Sequence, residues 1–226
     1  MLSAGKTRSM NFERARLNMV EQQLRTWEVL DQRVLSVISK TPREDYVPAL
    51  YRRLAYADTS IPLYDDQVMM PPRVEARLLQ ALDLKADDYV LEIGTGSGYL
   101  TALLARLAGQ VVSVEISPAW QQQAQVNLTA HGIHNVRLEL GDGVHGWAES
   151  APYDAIAVTG SVPLLEEHYQ HQLKTGGRLF VIVGEMPIME ALLITRLDAD
   201  EWSQDSLFET VIPPLQGAKT PQRFIL

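Results

Sequence analysis

The sequence predicts an α/β fold: a doubly wound, mostly parallel sheet with an antiparallel edge, preceded by an N-terminal helical extension. Three observations carry this. From Asp88 onward, short apolar runs rich in β-branched residues alternate with segments of helical period, as in parallel strands joined by helical crossovers. The first such strand runs into a glycine turn, Gly94-Thr95-Gly96-Ser97-Gly98, that opens a helix. Ahead of it, residues 12–39 place their apolar side chains mostly at helical spacing instead.

Residues 1–10 read as a disordered leader, with Met10 as an alternative start. Residues 11–226 read as one domain, 11–82 forming a helical extension and 83–226 the α/β core. Phe12, Leu17, Val20 and Leu24, then Val34, Leu35 and Ile38, mark two helices with a break near Trp27–Asp31 and Asp31 as N-cap of the second. Pro42 ends that helix, and Pro48 limits the next segment. Tyr56 to Pro72 reads as irregular, and Arg73–Leu82 as a helix. The core then gives strands at Tyr89–Ile93, Gln110–Glu115, Val136–Leu140, Tyr153–Thr159 and Arg178–Val183. Helices are expected at Tyr99–Leu107, Pro118–Ala130 and Leu164–Gln172. Beyond Glu185 the crossovers stop, and Ala191–Leu197 and Leu207–Ile212 are expected as antiparallel edge strands.

Composition narrows the chemistry. The 226 residues hold no cysteine, which excludes disulfides, thiolate metal sites and a cysteine nucleophile. The formal net charge is −8, with +3 in residues 1–60 and −11 in the rest, so nucleic acid is not expected as the main partner. No apolar run reaches about 18 residues, and the opening residues lack the apolar centre of a signal peptide. A cytoplasmic location, with no membrane partner, follows by default.

A strand entering Gly-x-Gly-x-Gly and then a helix is a nucleotide-binding turn, with the ligand beyond the carboxyl ends of the strands. The dinucleotide pattern would place its third glycine at residue 99, which is Tyr99, and no Gly-Lys-Ser/Thr is present. Phosphate is therefore not the expected ligand group. Glu115 ends the second strand, 21 positions after Gly94, where a carboxylate can accept from both ribose hydroxyls. Gly141-Asp142-Gly143 offers a further acceptor suited to an adenine amine. A phosphate-free adenosyl ligand held by carboxylates fits S-adenosyl-L-methionine, with Glu92 and the other acids tolerating its sulfonium.

With these residues in hand, the chain resembles the protein L-isoaspartate (D-aspartate) O-methyltransferase family from Met19 to Leu215. Pro42-Arg43-Glu44-Asp45-Tyr46-Val47-Pro48, Ala55-Tyr56-Ala57-Asp58 and Val90–Tyr99 resemble its signatures. So do Gly141-Asp142-Gly143, Ala151-Pro152-Tyr153-Asp154, Gln172-Leu173 with Gly176-Gly177-Arg178-Leu179, and Val211–Leu215. The resemblance implies a Rossmann-like S-adenosylmethionine-dependent methyltransferase fold, with residues 11–226 as a single methyltransferase domain. It also implies S-adenosyl-L-methionine as cofactor (S-adenosyl-L-homocysteine as product) and methyl transfer to the α-carboxylate of isoaspartyl residues in damaged protein. The cofactor-binding residues it implies, taken with the turn chemistry, are Gln67, Val68, Met69, Met70, Glu92, Gly94, Thr95, Gly96, Ser97, Gly98, Glu115, Ile116, Gly141, Asp142, Gly143 and Gln216, with Gln222 as a further closing residue.

One segment departs from the family pattern Gly-x-Gln-Thr-Ile-Ser-x-Pro. Here it reads Asp65-Asp66-Gln67-Val68-Met69-Met70-Pro71-Pro72, with Met70 at the family's serine position. An activated methyl donor and an ionised carboxylate need little general-base work, so catalysis rests on holding the two in line. A serine hydroxyl can donate to that carboxylate, whereas Met70 offers a flexible apolar wall. Asp65 and Asp66, if turned inward, would repel an anionic acceptor. The cofactor half is thus expected intact and the acceptor half altered, and no catalytic residue is assigned. Three readings stay open: isoaspartyl methylation of a protein or peptide, methylation of a small molecule, and a catalytically silent cofactor-binding scaffold.

Other residues read more plainly. His168 and His171 are spaced for a metal, but no third ligand is evident, so no metal is expected. His145 reads as an exposed loop residue or a candidate base near the pocket, Trp120 as an adenine cover or helix packing, and Trp27 and Trp147 as packing.

Overall fold

A computed structural model describes residues 11–64 and 66–220. The expected leader, Asp65 and Gln222 lie outside the described residues. The described residues open with helix α1 (Phe12–Met19), which runs on through a π-type turn at Val20–Leu24 and a 3₁₀ turn at Arg25–Trp27. Glu28, with φ of 60°, breaks the run where a break was expected. Helix α2 (Gln32–Lys40) follows, capped by Asp31, whose carboxylate accepts the Arg33 N–H at 2.7 Å.

The expected irregular stretch contains a short antiparallel hairpin, β1 (Ile61–Pro62) against β2 (Val68–Met69). Two-residue strands that include a proline carry no alternation, so periodicity could not reveal them. Helix α3 spans Pro72–Leu82, proline occupying the first turn where its missing N–H costs nothing.

The core strands β3 (Tyr89–Ile93), β4 (Gln110–Glu115) and β5 (Val136–Leu140), and helices α4 (Tyr99–Leu107) and α5 (Pro118–Ala130), fall where periodicity puts them. Strand β6 (Tyr153–Val162) runs three residues past its expected end. The helix expected over Leu164–Gln172 is confined to α6 (His168–His171). Strand β7 (Leu173–Glu185) is longer than its apolar centre, pairing tightly with β8 (Ile188–Asp198). The last strand, β9, is Glu201–Glu209 rather than Leu207–Ile212. It hydrogen-bonds to β8 as the sheet edge, and its polar run Glu201-Trp202-Ser203-Gln204-Asp205-Ser206 hides the strand from a hydropathy reading.

The sheet order is β5-β4-β3-β6-β7-β8-β9, parallel through β7 and antiparallel beyond it. Alternating residues of the strands enter two cores. Val90, Val111, Ala155, Ala157, Phe180 and Ile182 pack on one face with α2, α3 and α4. Leu91, Ile93, Val112, Val114, Ile156 and Val181 pack on the other face with Tyr153 and Tyr169. The chain winds outward through β3, β4 and β5, then returns to lay β6 beside β3. The ends of β3 and β6 are therefore the topological switch point, where an open α/β sheet leaves a crevice. Among the described residues, no helix is long and apolar enough to cross a membrane.

Candidate active site

The crevice at the switch point is a cleft open to solvent. Each wall comes from the end of an element. After β3, Gly94 turns with φ of 92°, and a side chain there would meet the Thr159 hydroxyl. That hydroxyl donates at 2.8 Å to the Ile93 and Gly94 carbonyls, tying the last turn of β3 to β6. After β4, Glu115 is buried beside the turn. One of its oxygens accepts the Gly96 N–H at 2.7 Å, and the other accepts the Ser117 N–H at 2.9 Å. After β5, Gly141, Asp142, Gly143 and Val144 form the far wall, with Asp142 accepting the Val144 N–H at 3.0 Å.

Two further segments close the cleft. Past β9 the chain returns to β6: Ser161 N donates to Pro213 O, and Leu215 N donates to Ser161 O. This places Leu215 and Gln216 in the wall. From the other side the β1–β2 hairpin contributes Leu63, Tyr64, Gln67 and Val68, and Gln67 Nε2 reaches the Pro214 carbonyl at 3.2 Å. Tyr64 and Trp120 rings lie 5.7 Å apart in that wall.

A smaller cavity continues across Leu63, Val68, Gly94, Gly96 and Thr159 and is otherwise lined by Met69, Met70, Glu75, Thr95, Ser97, Tyr99 and Leu100. Met70 is buried, and its carbonyl accepts from Arg43 at 2.7 Å. Arg43 also pairs with Glu75 and lies over the Tyr99 ring, 4.6 Å from its centre. Burial pushes the Glu75 carboxyl up to about 7 against the pull of that guanidinium.

Of the residues singled out from sequence, Gln67, Val68, Met69, Met70, Gly94, Thr95, Gly96, Ser97, Glu115, Ile116, Gly141, Asp142, Gly143 and Gln216 all line one of these two cavities. Two do not. Glu92 is fully buried beneath the turn, so it is not available to a sulfonium in the cleft. It accepts from Thr101 and Ser113 instead, and Ser113 Oγ is 2.5 Å from Thr95 Oγ1. Burial pushes its carboxyl up to about 8, despite the two hydroxyls that favour its charged form. Gly98 caps α4 and packs against Ala124 rather than facing the ligand space. Asp66 is exposed and lines neither cavity.

His145 also lies outside the walls, facing Glu166. Trp27 packs edge-on against Phe208, and Trp147 packs under Gly141. Sequence reading missed Leu63, Tyr64, Thr159 and Leu215. Thr159 had a usable signal, since it sits at the carboxyl end of a parallel strand. Tyr64 had none.

The chemistry of the walls is acidic. Glu115, Asp142 and Glu75 face the two cavities, and no Lys, Arg or His lines either one among the described residues. A phosphorylated ligand would find no counter-charge here, whereas a cation would. The Trp120 indole N–H is buried in this wall without a partner among the described residues, a donor for a ligand acceptor.

A family profile described as "Protein-L-isoaspartate(D-aspartate) O-methyltransferase (PCMT)" matches residues 14–219. A protein-L-isoaspartate O-methyltransferase of Syntrophus aciditrophicus (strain SB) is 43% identical over 189 residues, covering 84% of this chain and 87% of that protein. A solved protein-L-isoaspartate O-methyltransferase superposes with a TM-score of 0.75 at 30% identity, over 88% of this chain, which spans 65% of that one. The crystal structure of a Plasmodium falciparum protein in complex with S-adenosyl-L-homocysteine gives a TM-score of 0.76 at 20% identity, covering 91% and 98% of the two chains. That last likeness speaks for the fold.

Proposed function

Because the chain belongs to the protein-L-isoaspartate(D-aspartate) O-methyltransferase family, whose members are S-adenosylmethionine-dependent methyltransferases, we propose that its cleft binds S-adenosyl-L-methionine for methylation of an isoaspartyl carboxylate. The observation that carries this is the acidic cleft at the switch point, with Gly94 and Gly96 on its floor, Glu115 and Asp142 beside it and no basic side chain among its described lining residues. Each Glu115 oxygen already accepts one backbone N–H and keeps lone-pair capacity for a ribose hydroxyl. Asp142 suits an adenine amine, with Ile116 and Val144 as apolar walls and Tyr64 and Trp120 as aromatic cover.

The bound cofactor supplies a methyl group activated on a sulfonium. The chain's own work is orientation. The smaller cavity meets the cleft across Gly94 and Gly96, so an acceptor entering beside Met70 approaches the donor along a fixed line. Arg43 holds the Met70 carbonyl, which fixes that wall. Among the described residues no Lys, Arg or His lines either cavity to take a proton, and an ionised carboxylate gives none up.

A second reading has its own support. Leu63, Val68, Met69, Met70 and Leu100 give the acceptor cavity an apolar side opposite Glu75, Thr95 and Ser97, which would suit a small acceptor with an apolar part. Labelled S-adenosylmethionine with an isoaspartyl peptide decides between them. Turnover that rises in Met70→Ser supports the isoaspartyl reading. Tight S-adenosylhomocysteine binding with no transfer to the peptide by either protein removes it.

A further inference from the structure

On the outer side of the wall formed by residues 141–144 lies a side-chain cluster that the proposed methyl transfer does not use. His145 Nδ1 stands 3.5 Å from Glu166 Oε2, and His168 Nδ1 stands 3.7 Å from the same oxygen. The three ligand atoms lie within 4.8 Å of one another. Both nitrogen–oxygen separations are too long for good hydrogen bonds. Ligands around a tetrahedral zinc at about 2.0–2.1 Å stand roughly 3.3–3.4 Å apart, so a small closing motion would seat an ion.

The hydrogen bonding prepares the site. His168 Nε2 lies 3.1 Å from the Val144 carbonyl, which can only accept, so that nitrogen carries the proton. In the neutral ring, Nδ1 is then a bare lone pair turned toward a carboxylate oxygen. Two lone pairs facing each other repel, and a cation between them would relieve that repulsion. A histidine whose far nitrogen donates to a backbone carbonyl is also the usual arrangement around a bound metal. Glu166 is held in place by Lys219 on its other oxygen, so that Oε2 faces the two imidazoles. His145 is 60% exposed at its side chain and can turn toward an incoming ion.

We propose that His145, Glu166 and His168 bind a divalent transition-metal ion of the zinc class, with a fourth position open to water. Two imidazoles and one carboxylate suit Zn²⁺, Co²⁺ or Ni²⁺, whereas Mg²⁺ and Ca²⁺ prefer all-oxygen sets. An ion here would join the loop after β5 to the loop before α6. Val144, whose carbonyl receives both His168 and the Tyr169 hydroxyl, also lines the cleft. The site therefore sits directly behind one cleft wall.

The test is titration of the tag-free chain with Zn²⁺ by calorimetry and with Co²⁺ by visible absorption. The expected result is one equivalent per chain, with affinity falling about tenfold or more in His145→Ala, Glu166→Gln and His168→Ala. His171→Ala, one turn away and paired with Glu167, should bind as the parent does. His145→Ala changes an exposed side chain, and circular dichroism verifies that the variant keeps its fold. Uptake below one equivalent at micromolar protein overturns the proposal, as does uptake that survives in the His145→Ala, His168→Ala double variant.

Discussion

The Glu115 carboxylate accepts the Gly96 amide at 2.7 Å, so the residue that ends β4 also fixes the turn that ends β3. Its other oxygen accepts the Ser117 amide and so sets the start of α5. One side chain thus organises three pieces of backbone around the cleft while keeping capacity for a ligand. Replacing it with alanine should weaken S-adenosylhomocysteine binding by about 1.5–3 kcal/mol, roughly 10- to 150-fold. Calorimetry measures this directly.

The two glycines at the front of the turn should respond differently. A Cβ at Gly94, with φ of 92°, would clash with the Thr159 hydroxyl, which is itself bonded to the Ile93 and Gly94 carbonyls. Gly96, with φ of 52°, would meet only the end of the Leu63 side chain at 3.1 Å. Gly96→Ala should cost roughly 1 kcal/mol. Gly94→Ala should cost more than that and should abolish cofactor binding. Urea denaturation of the two variants ranks them.

Much of this was legible in the sequence. The bounds of β3 and β4 follow from apolar runs, because buried parallel strands must be apolar, while β5 follows from its alternation and α4 and α5 from helical spacing. Glu115 and Asp142 were readable because one ends β4 and the other follows β5 between two glycines. What stayed hidden depends on distant pairing. The β1–β2 hairpin is too short to show a period, and β9 is a polar edge held by β8. Arg43 and Glu75 are 32 positions apart, and no local signal joins them. Glu92 was misplaced for a related reason: strand alternation decides only a side, and the Thr101 and Ser113 hydroxyls make burial tolerable.

Glu92 should leave a signature in the pH dependence of stability. Its carboxyl is pushed up to about 8 when folded, chiefly by burial, and returns to an ordinary carboxylate value when the chain unfolds. The folded state therefore binds the proton more tightly than the unfolded state. Stability from this group is fully present below the ordinary value near 4.5 and is lost as pH rises through about 8. Glu92→Gln removes the titration, so its melting temperature should fall less between pH 6 and pH 9 than the parent's. Glu75, raised to about 7, has the same sign and leaves a residual slope. Parallel melting curves for parent and variant would contradict this.

The Arg43–Glu75 pair is buried on both sides, with Arg43 also holding the Met70 carbonyl. Arg43→Met leaves a buried carboxylate without its partner, a loss of about 3–5 kcal/mol at pH 8. The loss should shrink at pH 5, where Glu75 takes up a proton. Because Arg43 acts through the Met70 wall, KM for the acceptor should rise more than S-adenosylhomocysteine affinity falls. Denaturation at both pH values and steady-state kinetics check the two halves.

The most direct measurement compares S-adenosylhomocysteine with an oxidised dinucleotide such as NAD⁺ in the same calorimetric titration. The expected result is one site per chain for S-adenosylhomocysteine, weakened in Glu115→Ala, and no detectable heat from the dinucleotide. Saturable dinucleotide binding, or no binding of S-adenosylhomocysteine by the folded chain, would contradict a phosphate-free adenosyl ligand in this cleft.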